Sequence, residues 1–311
     1  MKSVLVGIAL STTLSTPVLA EKVTPQEAVT ALESKFGVFK GERRNHTKGL
    51  CFSASFTATN EAQKYTKSAI FTGDTIPVIG RFSHAGGNIM ADDTSGRVFG
   101  MALRFEANNA YHNMAMLNLP FFPVPSPNAF VDRLKISSDQ DKRDFALKYP
   151  SSQHLEEIVS TRNNEQSDYS EHYYNSIHTF YFENVEGKKV PARWIFYPTT
   201  NSTLEKPLNG ELKDFQASLL AKLEKHPIGF DMIVSFPHKT DALTNPTVPW
   251  VTSGERVNFG RLNIENLNTK CESLNYDPLV LTTGITPSND EVLKFRSGAY
   301  AISFGKRLSE K

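Results

Sequence analysis

The stretch Leu50-Cys51-Phe52-Ser53-Ala54-Ser55-Phe56 alternates larger apolar residues with small or polar ones. A period of two puts Leu50, Phe52, Ala54 and Phe56 on one face of an extended strand, half buried against a core. Working outward, similar short segments recur near 68–82, 97–106 and 111–118, and again at 177–185, 190–197, 230–236 and 257–265. About eight such strands predict an antiparallel β-barrel with helices packed outside it, an α+β fold. The helices are marked as well. Thr24-Pro25-Gln26-Glu27 has the form of a capping box with proline at the first helical position, predicting a helix to about Phe36 that stops at Gly37. Pro123, Pro125 and Pro127 open a connection into a polar, irregular or helical stretch to about 173, and Leu212, Phe215, Leu219, Leu220 and Leu223 mark an amphipathic helix. No internal repeat or low-complexity tail interrupts the chain, so a single barrel-centred domain over 21–311 is expected.

Of the 311 residues, 39% are hydrophobic, enough to bury a large core. The formal net charge is +1 and no block of like charges occurs. Tight binding to nucleic acid or to an anionic membrane needs a basic surface, so neither partner is expected. Residues 1–20 read as a cleavable secretory signal. Lys2 precedes an apolar run from Val4 to Leu10, and Val18-Leu19-Ala20 supplies a small-x-small cleavage site before Glu21. The run is too short to span a bilayer, which predicts an exported, periplasmic protein.

Two cysteines are present, Cys51 and Cys271. An oxidising compartment permits a disulfide between them, and two buried free thiols are equally compatible with the sequence. They are not spaced as metal ligands, and no Cys-x-x-Cys-His motif occurs for covalent haem attachment.

Near the C-terminus, Ser288-Asn289-Asp290-Glu291 predicts a second capping box and a helix through about Arg307. On it, Arg296 and Tyr300 lie four residues apart and share a face. A guanidinium beside a phenol stabilises the phenolate, a hard anionic ligand suited to ferric iron. The same spacing also fits a surface arginine stacked on a tyrosine ring.

Other segments bear on the choice. Arg43-Arg44-Asn45-His46-Thr47-Lys48-Gly49, Arg81-Phe82-Ser83, the glycine-containing Thr94–Phe105, Ser176-x-His178-Thr179-Phe180, Tyr276-Asp277-Pro278 and Leu293-x-x-Arg296-x-x-x-Tyr300 run in order along the chain. In sequence and order they resemble the haem catalases across about 40–305. The sequence is much shorter than an ordinary catalase, and so resembles the compact group called catalase-related peroxidases. The resemblance implies a catalase-like antiparallel eight-stranded barrel, with haem b (iron protoporphyrin IX) between the barrel and the C-terminal helix. By the same resemblance, Tyr300 is the axial iron ligand and Arg296 its partner. His46 is the distal proton shuttle, Ser83 fixes its tautomer, Arg43 and Arg81 bind the haem propionates, and His178 lies at the haem periphery.

Two departures accompany these matches. Catalases place a distal asparagine in Asn-Asn-Thr-Pro-x-Phe-Phe; here the segment is Met116-Leu117-Asn118-Leu119-Pro120-Phe121-Phe122, and Asn118 is the one amide in range. Catalases follow Arg-Phe-Ser with Thr-Val, whose valine narrows the channel; here the pair is His84-Ala85. Both favour a peroxidase with low catalase activity, reducing hydrogen peroxide or organic hydroperoxides with a small organic electron donor. The alternatives are a hydroperoxide-rearranging enzyme of the allene oxide synthase kind, a non-catalytic haem-binding protein, and a lipocalin-like barrel binding an apolar ligand without haem. A monomer or homodimer is expected, because the chain-arm exchange of large catalases is not implied.

Overall fold

The computed structural model describes residues 22–95, 98–161, 167–199, 214–250 and 254–310. The leader expected over 1–20 lies outside the described residues, as does Leu212. The chain opens with α1 (Pro25–Phe36), whose capping box forms as expected: Glu27 N donates to Thr24 Oγ1 at 3.2 Å and Thr24 N to Glu27 Oε2 at 2.6 Å. Four long antiparallel strands follow, β1 (Gly49–Ala58), β2 (Thr75–His84), β3 (Phe99–Ala107) and β4 (Ala110–Leu117). Three helices then cover the polar stretch, α2 (Pro127–Lys135), α3 (Asp139–Lys148) and α4 (His154–Thr161). The remainder is β5 (Tyr174–Asn175), β6 (Phe180–Glu183), β7 (Lys189–Pro198), α5 (Phe215–Leu223), β8 (Ile228–Ser235), β9 (Arg256–Asn266), β10 (Ile285–Pro287) and α6 (Glu291–Ser309).

The pairing β7-β5-β4-β3-β2-β1-β9-β8 returns to β7, closing an eight-stranded antiparallel barrel. The eighth stave differs from the one the sequence suggests. The segment expected at 177–185 does form β6, but it pairs on β7 beside β10 as an external ribbon. The two-residue β5 takes its place, bridging Leu117 and Ile195 through Asn175. Ile177, at φ 66°, breaks the chain between the two; a β-branched residue with positive φ cannot continue a strand.

Inside the barrel the alternating residues meet as a phenylalanine core. Phe52, Phe56, Phe82, Phe105, Phe230 and Phe259 are wholly buried, and Phe56 meets Phe105 edge to face at 5.3 Å. Burial of each ring stabilises the fold by roughly 1.5–3 kcal/mol. On the outer face of β2 to β4 the side chains are small: Ser83, Gly100, Ala102 and Ala115. Helices α1, α2 and α6 pack together over this side. A Cβ at Gly298 would lie 2.7 Å from Pro25 Cγ, so the glycine sets how closely α6 approaches the start of α1.

Helix α6 starts two residues later than its sequence suggests. Ser288 is drawn into the end of β10, where its N–H donates to Thr179 O, and Asp290 becomes the cap, accepting from Val292 N and Leu293 N. Cys51 and Cys271 form a disulfide, 220 residues apart in sequence. Closing so long a loop restricts the unfolded chain, so Cys51→Ser is expected to cost about 2–5 kcal/mol. Urea unfolding of the variant beside the oxidised protein checks this; an unchanged midpoint contradicts it. Among the described residues no helix is long and apolar enough to cross a membrane.

Candidate active site

The outer face of β2 to β4, α1 and α6 enclose a cleft holding about 1290 Å³ of free space, its mouth included. Its walls are mostly apolar: Val29 and Leu32 from α1, Gly100, Ala102 and Ala115 from the barrel, Phe122 and Phe130 beyond it, and Phe295 and Ala299 from α6.

His46 stands on the barrel side. It follows the turn Arg43-Arg44-Asn45 and has φ 57°, a left-handed conformation that costs of order 1–3 kcal/mol and persists only where surroundings fix it. The fixing is dense. Asn45 Oδ1 accepts from His46 N at 3.0 Å and from Gly86 N at 2.9 Å. Arg81 Nη1 donates to His46 O and Nη2 to Thr47 O, both at 2.8 Å. The ring is fixed too: Nδ1 lies 3.0 Å from Ser83 Oγ, which leaves Nε2 for the cleft. Gly100 makes room for this pair, because a Cβ there would come within 2.9 Å of Ser83 Oγ and 3.1 Å of His46 Nδ1.

Only one edge of the imidazole opens on the cleft. Desolvation, helped by the positive charges of Arg81 and Arg296, pushes its pKa down to about 3. The ring is therefore a neutral base at ordinary pH. Peroxide chemistry that needs this neutral form is expected to be flat from about pH 8 down to pH 5, and to fail only as pH drops through about 3. A stopped-flow pH profile checks this; loss of rate with a midpoint near the ordinary histidine value of about 6.5 contradicts it.

On the opposite wall, Arg296 Nη2 donates to Tyr300 Oη at 2.7 Å, with the guanidinium carbon 5.4 Å from the ring centroid. Ser297 Oγ donates to Asp277 Oδ2 at 2.5 Å, anchoring the same turn of α6 to the preceding loop. Arg43 lies at the cleft edge, 3.3 Å from Glu272 Oε2 and bonded to Cys271 O at 3.2 Å. Further along α6, Arg307 lines the cleft with 2% of its surface exposed. Its Nη2 donates to Leu274 O at 3.0 Å, while its buried Nε has no partner.

Two expectations are corrected by position. Asn118 does not line the cleft. Its Oδ1 accepts from Phe99 N at 2.9 Å, closing the end of the β3–β4 ladder. Along β4, residues 113, 115 and 117 face outward, so the residue after Leu117 turns to the other face. His178 is also outside the cleft: it is 1% exposed, and its Nδ1 donates to Asp290 Oδ2 at 2.6 Å, bracing the α6 cap. Burial, opposed by Asp290, holds its pKa below the usual value. Arg81 lines the cleft, where its fork also holds the His46 loop and its Nε donates to Glu272 at 2.7 Å. Arg307 was not singled out in the sequence, although 296, 300, 303 and 307 follow one helical face.

The residues present fit a haem. A planar apolar macrocycle with two carboxylates needs a slot of small and aromatic side chains, an anionic iron ligand and cations at one end. The alanines, Gly100 and phenylalanines supply the first and Tyr300 with Arg296 the second. Arg43 and Arg307, with its unpartnered buried Nε, supply the third.

Comparison with known proteins gives the same direction. Residues 19–219 match the family model described as catalase. The chain is 38% identical over 308 residues to a catalase-related peroxidase of Synechococcus elongatus, covering 93% of this chain and 90% of that protein. It is 27% identical over 297 residues to a catalase-related peroxidase of Mycolicibacterium paratuberculosis, covering 90% and 94%. Its fold is similar to that of catalase A from Saccharomyces cerevisiae, with a TM-score of 0.75 at 18% identity, over 86% of this chain and 61% of that one. A bacterial catalase gives a TM-score of 0.74 at 22% identity, over 99% and 68%.

Proposed function

Because this chain belongs to the catalase family and is an oxidoreductase acting on peroxide, we propose that it is a haem b peroxidase in which donor oxidation outweighs catalase turnover. The observation that carries this is the pairing of His46–Ser83 and Arg296–Tyr300 on opposite walls of one apolar cleft. Haem, when bound, supplies an iron centre at which peroxide is reduced by two electrons and an organic donor is oxidised. Tyr300 would hold the iron as phenolate, with Arg296 balancing its charge. Arg43 and Arg307 would hold the carboxylates.

The protein's own part in the reaction is proton handling. His46 Nε2 takes the proton from one peroxide oxygen and returns it to the other, so that water departs in place of hydroxide. Ser83 keeps the imidazole oriented for both transfers, and the apolar walls keep bulk water from the site.

Weak catalase activity follows from what stands near His46. Catalase turnover needs a second peroxide to be held and oxidised, and the β4 residues that line the cleft are Ala115, Met116 and Leu117, none of them an amide. The Cys51–Cys271 disulfide supports an oxidising compartment, in line with the leader.

Product analysis with cumene hydroperoxide and a phenolic donor tests the reaction class. The expected products are the alcohol and oxidised donor, with alcohol limited to a single turnover per site when the donor is left out. A rearranged product without donor consumption contradicts the proposal.

A further inference from the structure

Behind the strand that carries Ser83, the barrel interior holds a buried tyrosine–histidine pair that the proton chemistry at His46 does not use. Tyr169 is 1% exposed and His84 is 3% exposed. His84 Nδ1 lies 2.5 Å from Tyr169 Oη, and its Nε2 lies 3.1 Å from Asp93 O. A carbonyl can only accept, so the Nε2 hydrogen goes to Asp93. Nδ1 is therefore the free base, and Tyr169 donates its phenolic hydrogen to it. Burial holds the His84 pKa below the ordinary value, and Lys48, paired with the Asp93 carboxylate at 2.8 Å, adds to this; the Asp93 carbonyl and its carboxylate, 3.9 Å from Nε2, oppose it and favour a positive charge on the ring.

We propose that Tyr169 and His84 form a redox site that takes up one of the oxidising equivalents left by peroxide and passes it to an external donor; this rests on the peroxidase reading above. The step balances. Reduction of peroxide to water leaves the active site two electrons short. Tyr169 returns one electron to that site and gives its phenolic proton to His84 Nδ1, becoming a neutral phenoxyl radical beside an imidazolium. A one-electron donor, a phenol or an aromatic amine, then reduces the radical, and the proton moves back.

Two features favour this over a purely structural bond. The first is the acceptor. A phenol that loses an electron must also lose its proton, and burial already pushes the Tyr169 phenol well above its usual pKa, so a bare phenolate is not an available route. Tyr174, equally buried, donates to the carbonyl of Tyr169 at 2.7 Å and has no base to receive its proton. The second is place. The Tyr169 ring stacks on Phe82 at 5.2 Å and 8°, and Phe82 lies between Arg81 and Ser83, both of which line the cleft. One strand's thickness separates the pair from the site.

Freeze-quenched haem-loaded protein reacting with hydrogen peroxide tests the proposal by electron paramagnetic resonance. A tyrosyl radical is expected, with hyperfine structure that changes when the protein carries ring-deuterated tyrosine. Tyr169→Phe should lose the signal and Tyr174→Phe should keep it, with the Soret band and circular dichroism of each variant matching the parent. His84→Gln removes the proton acceptor and should weaken the radical and shift its g-anisotropy, an arm that stands if the tyrosine variant does not fold. A deuterium-sensitive signal unchanged in Tyr169→Phe or in His84→Gln overturns the inference. Peroxide consumption without any protein radical also overturns it while leaving the peroxidase reading in place. A protein that consumes no peroxide overturns both.

Discussion

Tyr300→Phe is expected to remove ferric haem binding, seen as loss of the Soret band on titration with hemin. Tyr300 is on the wall facing His46, it has its hydroxyl 2.7 Å from Arg296 Nη2, and the phenyl ring of the variant occupies the same space without the oxygen. The fold should survive, because the hydroxyl serves α6 only through Arg296. Loss of a residue beside a metal ligand typically weakens affinity by about 10–100-fold. Removing the ligand itself should exceed that range, and Arg296→Ala should fall within it. A Soret titration of Tyr300→Phe that matches the parent would falsify the ligand assignment.

His46→Ala should leave haem binding intact and slow the reaction with peroxide by about 10²–10⁴-fold, the usual worth of a positioned general acid–base. The cleft keeps its apolar walls and its arginines in the variant, so the loss should appear in the peroxide step and not in loading. Ser83→Ala should give a smaller loss, since it removes the bond that fixes Nδ1 but leaves the base in place. Stopped-flow mixing separates the two. Equal rates in His46→Ala and the parent would mean that another group moves the proton.

What the sequence makes legible here is what local spacing controls. The alternation from Leu50 to Phe56 reports a strand with one buried face, and β1 has it. Thr24 and Glu27 cap α1 because a capping box involves only four neighbouring residues. The Arg296–Tyr300 bond is an i, i+4 contact that any helix through those residues would bring together.

The failures come from contacts distant in sequence or from a strand's end. Asn118 was the one amide in range, but facing is set by the register of β4, and the residue after an outward Leu117 turns away. His178 has the resembling position, yet the shift of the α6 cap to Asp290 gives it a buried carboxylate 112 residues away. Which two residues serve as the eighth stave depends on Asn175 reaching both Leu117 and Ile195. The disulfide was one of two open choices, settled only when β1 and the segment before Tyr276 lie side by side.

The reaction proposed for this catalase core is chiefly that of a peroxidase. Donor oxidation and oxygen release, followed together in the haem-loaded protein with hydrogen peroxide and a phenolic donor, test it most directly. Oxidised donor is expected to accumulate in proportion to peroxide consumed, with oxygen far below the half-stoichiometric yield of catalase turnover. Half-stoichiometric oxygen, unchanged by the presence of donor, would contradict it.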